Sequence, residues 1–153
     1  MNNHATTRNV LWADDDAGDT LQSIARLLQK RGKLSLVIAE DYQQAVERLN
    51  GIAIAGPNDR FTALIVDTIL PPGIRDAALG NYLGIKLAQL AAATHGIGAI
   101  VFLSVVPYGE VADHFARLET DHPTVSFAYF NKLVLFDGTH FDDLLGSLAR
   151  RRT

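Results

Sequence analysis

The 153-residue chain contains no cysteine. This absence excludes disulfide bridges, thiolate zinc sites and a cysteine nucleophile, and it fits a reducing compartment. No charge of one sign dominates, because 14 basic side chains stand against 17 acidic ones and the net charge is -3. The sequence therefore offers no broad basic surface for nucleic acid.

Long hydrophobic runs are also missing. The longest apolar stretch covers residues 96–106 and is interrupted by Ser104, whereas a helix that crosses a bilayer needs roughly 20 apolar residues. Residues 1–9 are polar, where a secretory signal needs an apolar segment behind a positive start. We therefore expect a cytoplasmic protein without a membrane partner.

The hydrophobic pattern alternates between two periods along the chain. Short, nearly continuous apolar runs are typical of strands buried on both faces, and they occur at residues 10–13, 34–39, 63–66, 99–103 and 125–129. After each run, apolar residues recur three and four apart, as on amphipathic helices. The five helical stripes are Leu21, Ile24, Ala25 and Leu28; Tyr42, Ala45, Val46 and Leu49; Leu83, Leu87, Leu90 and Ala91; Val111, Phe115 and Leu118; and Phe141, Leu144, Leu145 and Leu148.

Five strands that alternate with five helices predict a doubly wound α/β domain, (βα) repeated five times. Right-handed crossovers keep such strands parallel, and the helices cover both faces of the sheet. Asp41 and Thr139 are placed to cap the second and fifth helices, and Gly96 is expected to end the third. No linker or repeat divides the sequence, so we expect a single domain over residues 1–153 with its core at 9–150.

Polar side chains stand at the ends of four of the predicted strands. Asp14 and Asp15 follow the first strand, Asp67 the third and Ser104 the fourth, and Lys132 lies just beyond the fifth. The carboxyl ends of parallel strands share one edge of the sheet, where such folds bind their ligands. Carboxylates brought together repel each other, and oxygen ligands without His or Cys favour Mg²⁺.

This set of groups suits phosphoryl transfer. A metal ion and the Lys132 ammonium neutralise charge on the transferring oxygens, and the Ser104 hydroxyl donates a hydrogen bond to one of them. Asp67 stands alone at the predicted central strand, while Asp14 and Asp15 form a pair that can hold metal. We therefore expect Asp67 to accept the phosphoryl group.

Four short segments resemble the motifs of the receiver domains of two-component response regulators, the CheY-like proteins. They are residues 10–16 (VLWADDD), 64–71 (LIVDTILP), 101–104 (VFLS) and 129–132 (YFNK). All four occur in the family's order, and the resemblance extends from residue 9 to residue 150. It implies the flavodoxin-like strand order 2-1-3-4-5.

The resemblance also implies roles for individual residues. Asp67 takes its phosphoryl group from a phosphohistidine on a sensor histidine kinase or phosphotransfer protein. Mg²⁺ is bound directly by Asp15, largely through water by Asp14, and also by Asp67 and the backbone carbonyl of Ile69. The protein is then a phosphoacceptor that catalyses its own phosphorylation and dephosphorylation, not an enzyme acting on a separate substrate.

The output side of the resemblance involves Ser104, Lys132 and Tyr129. The first two bind the phosphoryl oxygens, and Tyr129 matches the switch aromatic whose ring moves inward when the fourth-strand hydroxyl shifts. Because we expect no output domain, the signal passes to a protein partner through the fourth helix, fifth strand and fifth helix. Formation of a homodimer is left open.

The sequence departs from the family pattern at three places. Val105 replaces a small residue after the fourth-strand hydroxyl and is expected to narrow access to Asp67. Leu133 stands where a proline usually follows the lysine, so the usual cis peptide is not expected. The loop at residues 72–83 is longer than in the family and is expected to gate the site or to meet a partner.

Two other functions are compatible with the residues. A phosphatase of the haloacid dehalogenase type would use Asp14 as nucleophile and Asp16 as acid/base, although Gly18 stands where that family has Thr or Val. Its remaining motifs would be Ser104, Lys132, Asp142 and Asp143. The third possibility is a receiver-like binding module that is never phosphorylated, which Val105 and the long loop motivate.

Overall fold

The computed structural model describes residues 8–18, 21–52, 60–73, 82–94, 96–133 and 141–150. Strands and helices alternate strictly along the chain. The strands are β1 (Arg8–Ala13), β2 (Leu34–Ala39), β3 (Phe61–Val66), β4 (Ala99–Ser104) and β5 (Ser126–Asn131). The helices are α1 (Gln22–Gly32), α2 (Tyr42–Ile52), α3 (Leu83–Ala92), α4 (Tyr108–Asp121) and α5 (Phe141–Ala149).

The five strands form one parallel sheet in the order β2-β1-β3-β4-β5. The predicted doubly wound architecture and its strand order are therefore confirmed. β3 is the central strand, and its last residue, Val66, pairs with the last residue of β1. β4 and β5 end level with each other as well, because Ser104 pairs with Asn131. The residues that follow these strands consequently meet at one edge.

Each face of the sheet carries its own hydrophobic core. Successive strand residues point to opposite faces, so Leu11 and Phe102 belong to one cluster, while Trp12 and Val101 belong to the other. The first cluster packs against α2, α3 and α4, and we call it the α2–α4 face. The second packs against α1 and α5, and we call it the α1/α5 face. Trp12 is fully buried.

The amino end of α2 is capped both by a local side chain and by the backbone of the segment after β3. Asp41 Oδ1 accepts the backbone N–H of Gln44 at 2.8 Å, which confirms the predicted N-cap. The first two N–H groups of the helix donate to the backbone carbonyls of Pro71 and Pro72 at 2.8 and 3.2 Å. The segment that follows β3 is therefore bound to the amino end of α2.

Two predictions about α3 were wrong. The helix ends at Ala92, and Gly96 lies beyond it in the turn that leads to β4, with a φ of 101° that favours glycine. Leu90 is 37% exposed, because the face of α3 that packs on the sheet contains Leu87, Ala88 and Ala91. None of the helices in the described segments has the length and apolarity needed to span a membrane.

The ends of the last two strands also differ from the prediction. β4 includes Ser104 as its final residue, and β5 covers Ser126–Asn131 instead of residues 125–129. Val125 is buried in the core, but its backbone belongs to the preceding turn. Thr139, predicted to cap the fifth helix, and residues 74–81 of the long loop lie outside the described residues.

Candidate functional site

The ammonium group of Lys132 lies among carboxylates at the carboxyl edge of the sheet. Its Nζ is 2.6 Å from Asp67 Oδ2 and 2.8 Å from Asp14 Oδ2. A third carboxylate oxygen, Asp16 Oδ2, is 3.7 Å away. Lys132, Asp67 and Asp14 are all buried, so residues that follow three different strands form one shielded ion cluster.

Backbone hydrogen bonds orient the two buried carboxylates. The N–H of Asp14 donates to β2 and the N–H of Asp67 donates to β1, at 2.9 and 3.0 Å. Each carboxylate then accepts an N–H from the residue two positions later: Asp16 N–H reaches Asp14 Oδ1 at 2.9 Å, and Ile69 N–H reaches Asp67 Oδ1 at 3.2 Å. Such local turns hold both carboxylates toward Lys132.

The acidic run after β1 contains two further carboxylates, and both are exposed. Ligand oxygens of Asp14, Asp15 and Asp16 lie within 4.8 Å of one another. With Asp67, this edge carries four carboxylates, three of them within 3.7 Å of the single ammonium group of Lys132, so an excess of negative charge remains. An all-oxygen donor set with this excess fits Mg²⁺. The receiver resemblance assigned no role to Asp16, whose carboxylate lies near Lys132.

Burial raises the pKa of Asp67 and of Asp14 above the ordinary value, because desolvation disfavours a charged carboxylate. The hydrogen bond from Lys132 acts in the opposite direction but does not cancel this effect. Burial by itself would lower the pKa of Lys132, yet its hydrogen bonds to the two carboxylates raise it above the ordinary value. The lysine is therefore held charged beside carboxylates that are costly to keep charged.

Ser104 and Tyr129 are joined through the backbone of Val106. The Val106 N–H donates to Ser104 Oγ at 3.1 Å, and the Tyr129 hydroxyl donates to the Val106 carbonyl at 2.5 Å. Ser104 is fully buried at the end of β4. A displacement of Ser104 therefore acts directly on the segment that holds the Tyr129 hydroxyl.

The Tyr129 ring lies in a cluster of aromatic side chains on the α2–α4 face. It stacks on Phe102 with centroids 5.9 Å apart, and it contacts Tyr108 and Phe115 edge to face at 5.5 and 6.2 Å. A small void lies beside it, lined also by Thr68, whose buried hydroxyl has no hydrogen-bond partner among the described groups. This void is a local gap in the packing next to the ring.

Exposed apolar side chains lie next to the polar cluster in sequence. Ile69, Val105 and Leu133 are 51%, 61% and 67% exposed, and each stands one or two positions after a residue of the site. The peptide bond between Lys132 and Leu133 is trans. The ion cluster thus lies at an edge that also carries exposed hydrophobic side chains.

Asp142 and Asp143 occupy the first turn of α5. The carboxylate of Asp142 pairs with Arg31 Nη2 at 3.0 Å, and the same guanidinium lies over the Phe141 ring at 5.2 Å. Asp142 thus joins α5 to the end of α1. The carboxylates within ion-pair distance of Lys132 in the described segments come instead from the run after β1 and from Asp67.

No protein-family model matches the sequence, and no curated protein matches it either. The structure, however, resembles solved receiver structures at 16% sequence identity. The CheY-like response regulator receiver domain protein from Methanospirillum hungatei aligns with a TM-score of 0.59 over 93% of this chain and 96% of that one. A two-component response regulator from Legionella pneumophila gives 0.54 over 92% and 99%. The phosphorylated cyanobacterial phytochrome response regulator RcpA gives 0.56 over 93% and 89%.

These three structures are each 16% identical to this chain, so the likeness is one of fold. It covers at least nine-tenths of the chain in each comparison. The shared architecture is the strictly alternating βα chain whose five parallel strands follow the order 2-1-3-4-5. The chain therefore has the CheY-like fold of response regulator receiver domains.

Proposed function

We propose that the chain is a cytoplasmic receiver module in which Asp67 accepts a phosphoryl group from a phosphohistidine of a sensor histidine kinase or phosphotransfer protein. The observation that carries this proposal is the contact of Lys132 Nζ with both Asp67 and Asp14 at the carboxyl edge of the sheet. The CheY-like fold supports it, because solved structures of that fold include a phosphorylated response regulator.

The proposed transfer is a direct displacement at phosphorus. A carboxylate oxygen of Asp67 forms the new O–P bond while the P–N bond of the phosphohistidine breaks. The bonding pair stays on the imidazole nitrogen, which takes up a proton. Lys132 neutralises charge on the phosphoryl oxygens. Ser104 Oγ accepts a hydrogen bond from Val106, so its own proton remains to be donated to one of those oxygens.

The donor atoms of the site also support a role for Mg²⁺. Asp14 is fully buried and both of its oxygens have partners, the Asp16 N–H and the Lys132 ammonium, so we assign it contact with the ion through water. Asp15 is exposed, so we assign direct binding to it, together with Asp67 and the carbonyl of Ile69. The bound ion would neutralise charge on the transferring phosphoryl group.

The output is a change in the loop after β4. When Ser104 turns toward the phosphoryl group, its hydrogen bond from Val106 must change, and the Val106 carbonyl is the acceptor for Tyr129. Tyr129 contacts Tyr108 and Phe115 of α4. β5 is an edge strand, and Tyr108 is 48% exposed. These features support a protein partner that binds the surface formed by α4, β5 and α5.

The exposed apolar residues near the site support a protein as the phosphoryl donor. Ile69, Val105 and Leu133 gain contacts only if another surface covers them. A small phosphodonor is too small to bury all three, whereas a protein that presents a phosphohistidine can do so. We therefore expect Leu133→Ser to slow transfer from a phosphorylated protein donor more than labelling by acetyl phosphate. Equal slowing of both reactions would contradict this assignment.

The experiment that tests the proposal is mass measurement of the intact protein after incubation with acetyl phosphate and Mg²⁺. We expect one phosphoryl adduct on the wild type and none on Asp67→Asn. Asp113→Asn, which changes an exposed acid on α4, is the matched control and should label like the wild type. An unlabelled wild type, or equal labelling of Asp67→Asn, would contradict the proposal. Steady turnover of a phosphate ester would instead favour a phosphatase.

A further inference from the structure

The first turn of α3 lies directly on the backbone that carries Asp67. The N–H of Gly84 donates to the carbonyl oxygen of Thr68 at 3.0 Å. A Cβ placed on Gly84 would lie 1.8 Å from the carbonyl oxygen of Asp67, 2.7 Å from its carbonyl carbon and 2.8 Å from Thr68 Cα. All three atoms belong to the backbone, so no side-chain rotation relieves the overlap.

This glycine is required by space and not by its own conformation. Among the described glycines, positive φ occurs at Gly73 and Gly96 and not at Gly84. Alanine would normally be favoured over glycine within a helix by its propensity. At Gly84 that preference is overridden, because any side chain would force α3 away from β3 or push the Asp67 peptide toward the site.

The contact completes the fixation of Asp67. Its N–H is bound to β1 at 3.0 Å, and its carboxylate is bound by Ile69 N–H at 3.2 Å and by Lys132 at 2.6 Å. The backbone carbonyl of Asp67 is the third group of the residue, and α3 packs against it at Gly84. The acceptor is thus held through its N–H, its carboxylate and its carbonyl.

We propose that Gly84 is a positioning residue for phosphoryl transfer to Asp67. This inference rests on the proposed function, since positioning has meaning only if Asp67 reacts. A Cβ at Gly84 would displace the Asp67 backbone by about 1 Å, and misplacement of a reacting group by that distance costs on the order of 100-fold in rate. Gly84 touches neither the donor nor the phosphoryl group and acts only through the backbone of Asp67.

The chain offers a matched control for this test. Gly84 is the second residue of α3, and Gly109 is the second residue of α4. A Cβ on Gly109 meets nothing within 4 Å, so Gly109→Ala makes the same chemical change at the same helix position without the overlap. Leu83→Ala serves as a control for stability, because it truncates a buried core side chain and adds no atom at the Asp67 contact.

The first measurement is the labelling rate with acetyl phosphate and Mg²⁺, corrected for the folded fraction from circular dichroism. We expect Gly84→Ala to lose on the order of 100-fold, whereas Gly109→Ala and Leu83→Ala keep the wild-type rate. Wild-type labelling of Gly84→Ala would overturn the positioning role and leave the proposed function intact. An unlabelled wild type would overturn both, so the two failures are distinguishable.

The second measurement needs no variant and covers the case in which Gly84→Ala does not fold. If the contact positions Asp67, then loading Asp67 must stabilise the contact, because coupling between two sites is reciprocal. With Mg²⁺ and beryllofluoride, hydrogen exchange of the Gly84 amide in the wild type should slow about fivefold or more, and that of the Gly146 amide in α5 should change less. Equal change at both amides, or none at Gly84, would overturn the role.

Discussion

The two faces of the sheet are packed in different ways. The α2–α4 face contains a set of aromatic rings in mutual contact: Phe102, Tyr108, Phe115, Phe127 and Tyr129. It also contains a small void and the buried hydroxyl of Thr68, which has no partner among the described groups. The core of the α1/α5 face is mainly aliphatic around Trp12, whose indole N–H also has no partner among the described groups. The buried hydroxyl of this face, Ser147 Oγ, donates to the Asp143 carbonyl at 2.9 Å.

This difference follows the position of the site. The α2–α4 face is connected to Ser104 through Val106 and Tyr129, and it holds a small packing gap beside the Tyr129 ring. Segments that move must lie at the low end of local stability. The α1/α5 face has no equivalent connection within the described segments and can serve as the rigid side. We therefore infer that one face responds to the site and the other supports it.

The largest expected effect concerns the supporting face. Trp12→Ala removes a fully buried indole and should lower the free energy of unfolding by about 3–5 kcal/mol. Because Trp12 belongs to the α1/α5 face, the labelling rate of the folded fraction at Asp67 should not change. Urea denaturation and the mass assay measure the two quantities. A variant that stays stable but loses labelling would break the division between the faces.

Asp67→Asn is expected to raise the free energy of unfolding of the metal-free protein at neutral pH. The change should be smaller in size than the decrease caused by Trp12→Ala. Burial raises the pKa of Asp67 above 3.8 in the folded state, so the folded protein binds this proton more tightly than the unfolded chain. Stability from this group is present below pH 3.8 and is lost as pH rises through the folded pKa. Lys132 keeps Asp14 as a partner.

Urea denaturation of the wild type and Asp67→Asn at neutral pH, without metal, measures this effect. Mg²⁺ should then stabilise the wild type more than the variant, because the variant has lost one of the charges that the ion neutralises. A less stable Asp67→Asn would show that Asp67 serves the fold. That result would contradict the view that the buried Asp67 carboxylate lowers stability and is kept for phosphoryl transfer.

A pair of hydroxyl deletions compares the two faces directly. Thr68→Val keeps the shape of the side chain and removes an unpaired buried hydroxyl, so the free energy of unfolding should rise by about 1 kcal/mol. Ser147→Ala removes a hydroxyl that is hydrogen-bonded and should lower it by about 1 kcal/mol. Thermal and urea denaturation decide both signs. Changes of the same sign would mean that the two buried hydroxyls are equally well satisfied.

The smallest stability effect is expected from Tyr129→Phe. The ring stays in its aromatic cluster and only the hydrogen bond from a part-buried hydroxyl to Val106 is lost, so the free energy of unfolding should fall by about 0.5 kcal/mol. Labelling of Asp67 should keep its wild-type rate, while α4 should no longer respond to Mg²⁺ and beryllofluoride in amide spectra. A full response of α4 would show that the signal leaves Ser104 by another route.

Much of the fold follows from local patterns in the sequence. The buried apolar runs predicted every strand, and Asp41 predicted the start of α2, because both signals lie within a few neighbouring residues. The prediction that Gly96 ends α3 was wrong because its positive φ belongs to the turn before β4. A glycine in a sequence does not by itself show which turn requires it. The strand order came from the family resemblance, since periodicity does not specify which strands are neighbours.

The candidate site also has features that the sequence predicts and features that it does not. Asp14, Asp67 and Lys132 were found because strand ends of a parallel sheet must meet. The contact of Gly84 with the Asp67 backbone depends on how closely α3 approaches β3, which no local pattern records. The unpaired hydroxyl of Thr68 depends on tertiary packing in the same sense. Its neighbours in the void come from β4, β5, α3 and α4.

The most direct test is nuclear magnetic resonance of the wild type and Asp67→Asn, titrated with beryllofluoride in the presence of Mg²⁺. In the wild type we expect changes at Ser104, Val106, the Tyr129 ring and α4, with little change at the Trp12 indole. Asp67→Asn should show none of these changes. No response in the wild type, an equal response in Asp67→Asn, or a Trp12 shift as large as that of Tyr129 would contradict a site at Asp67 that acts on one face.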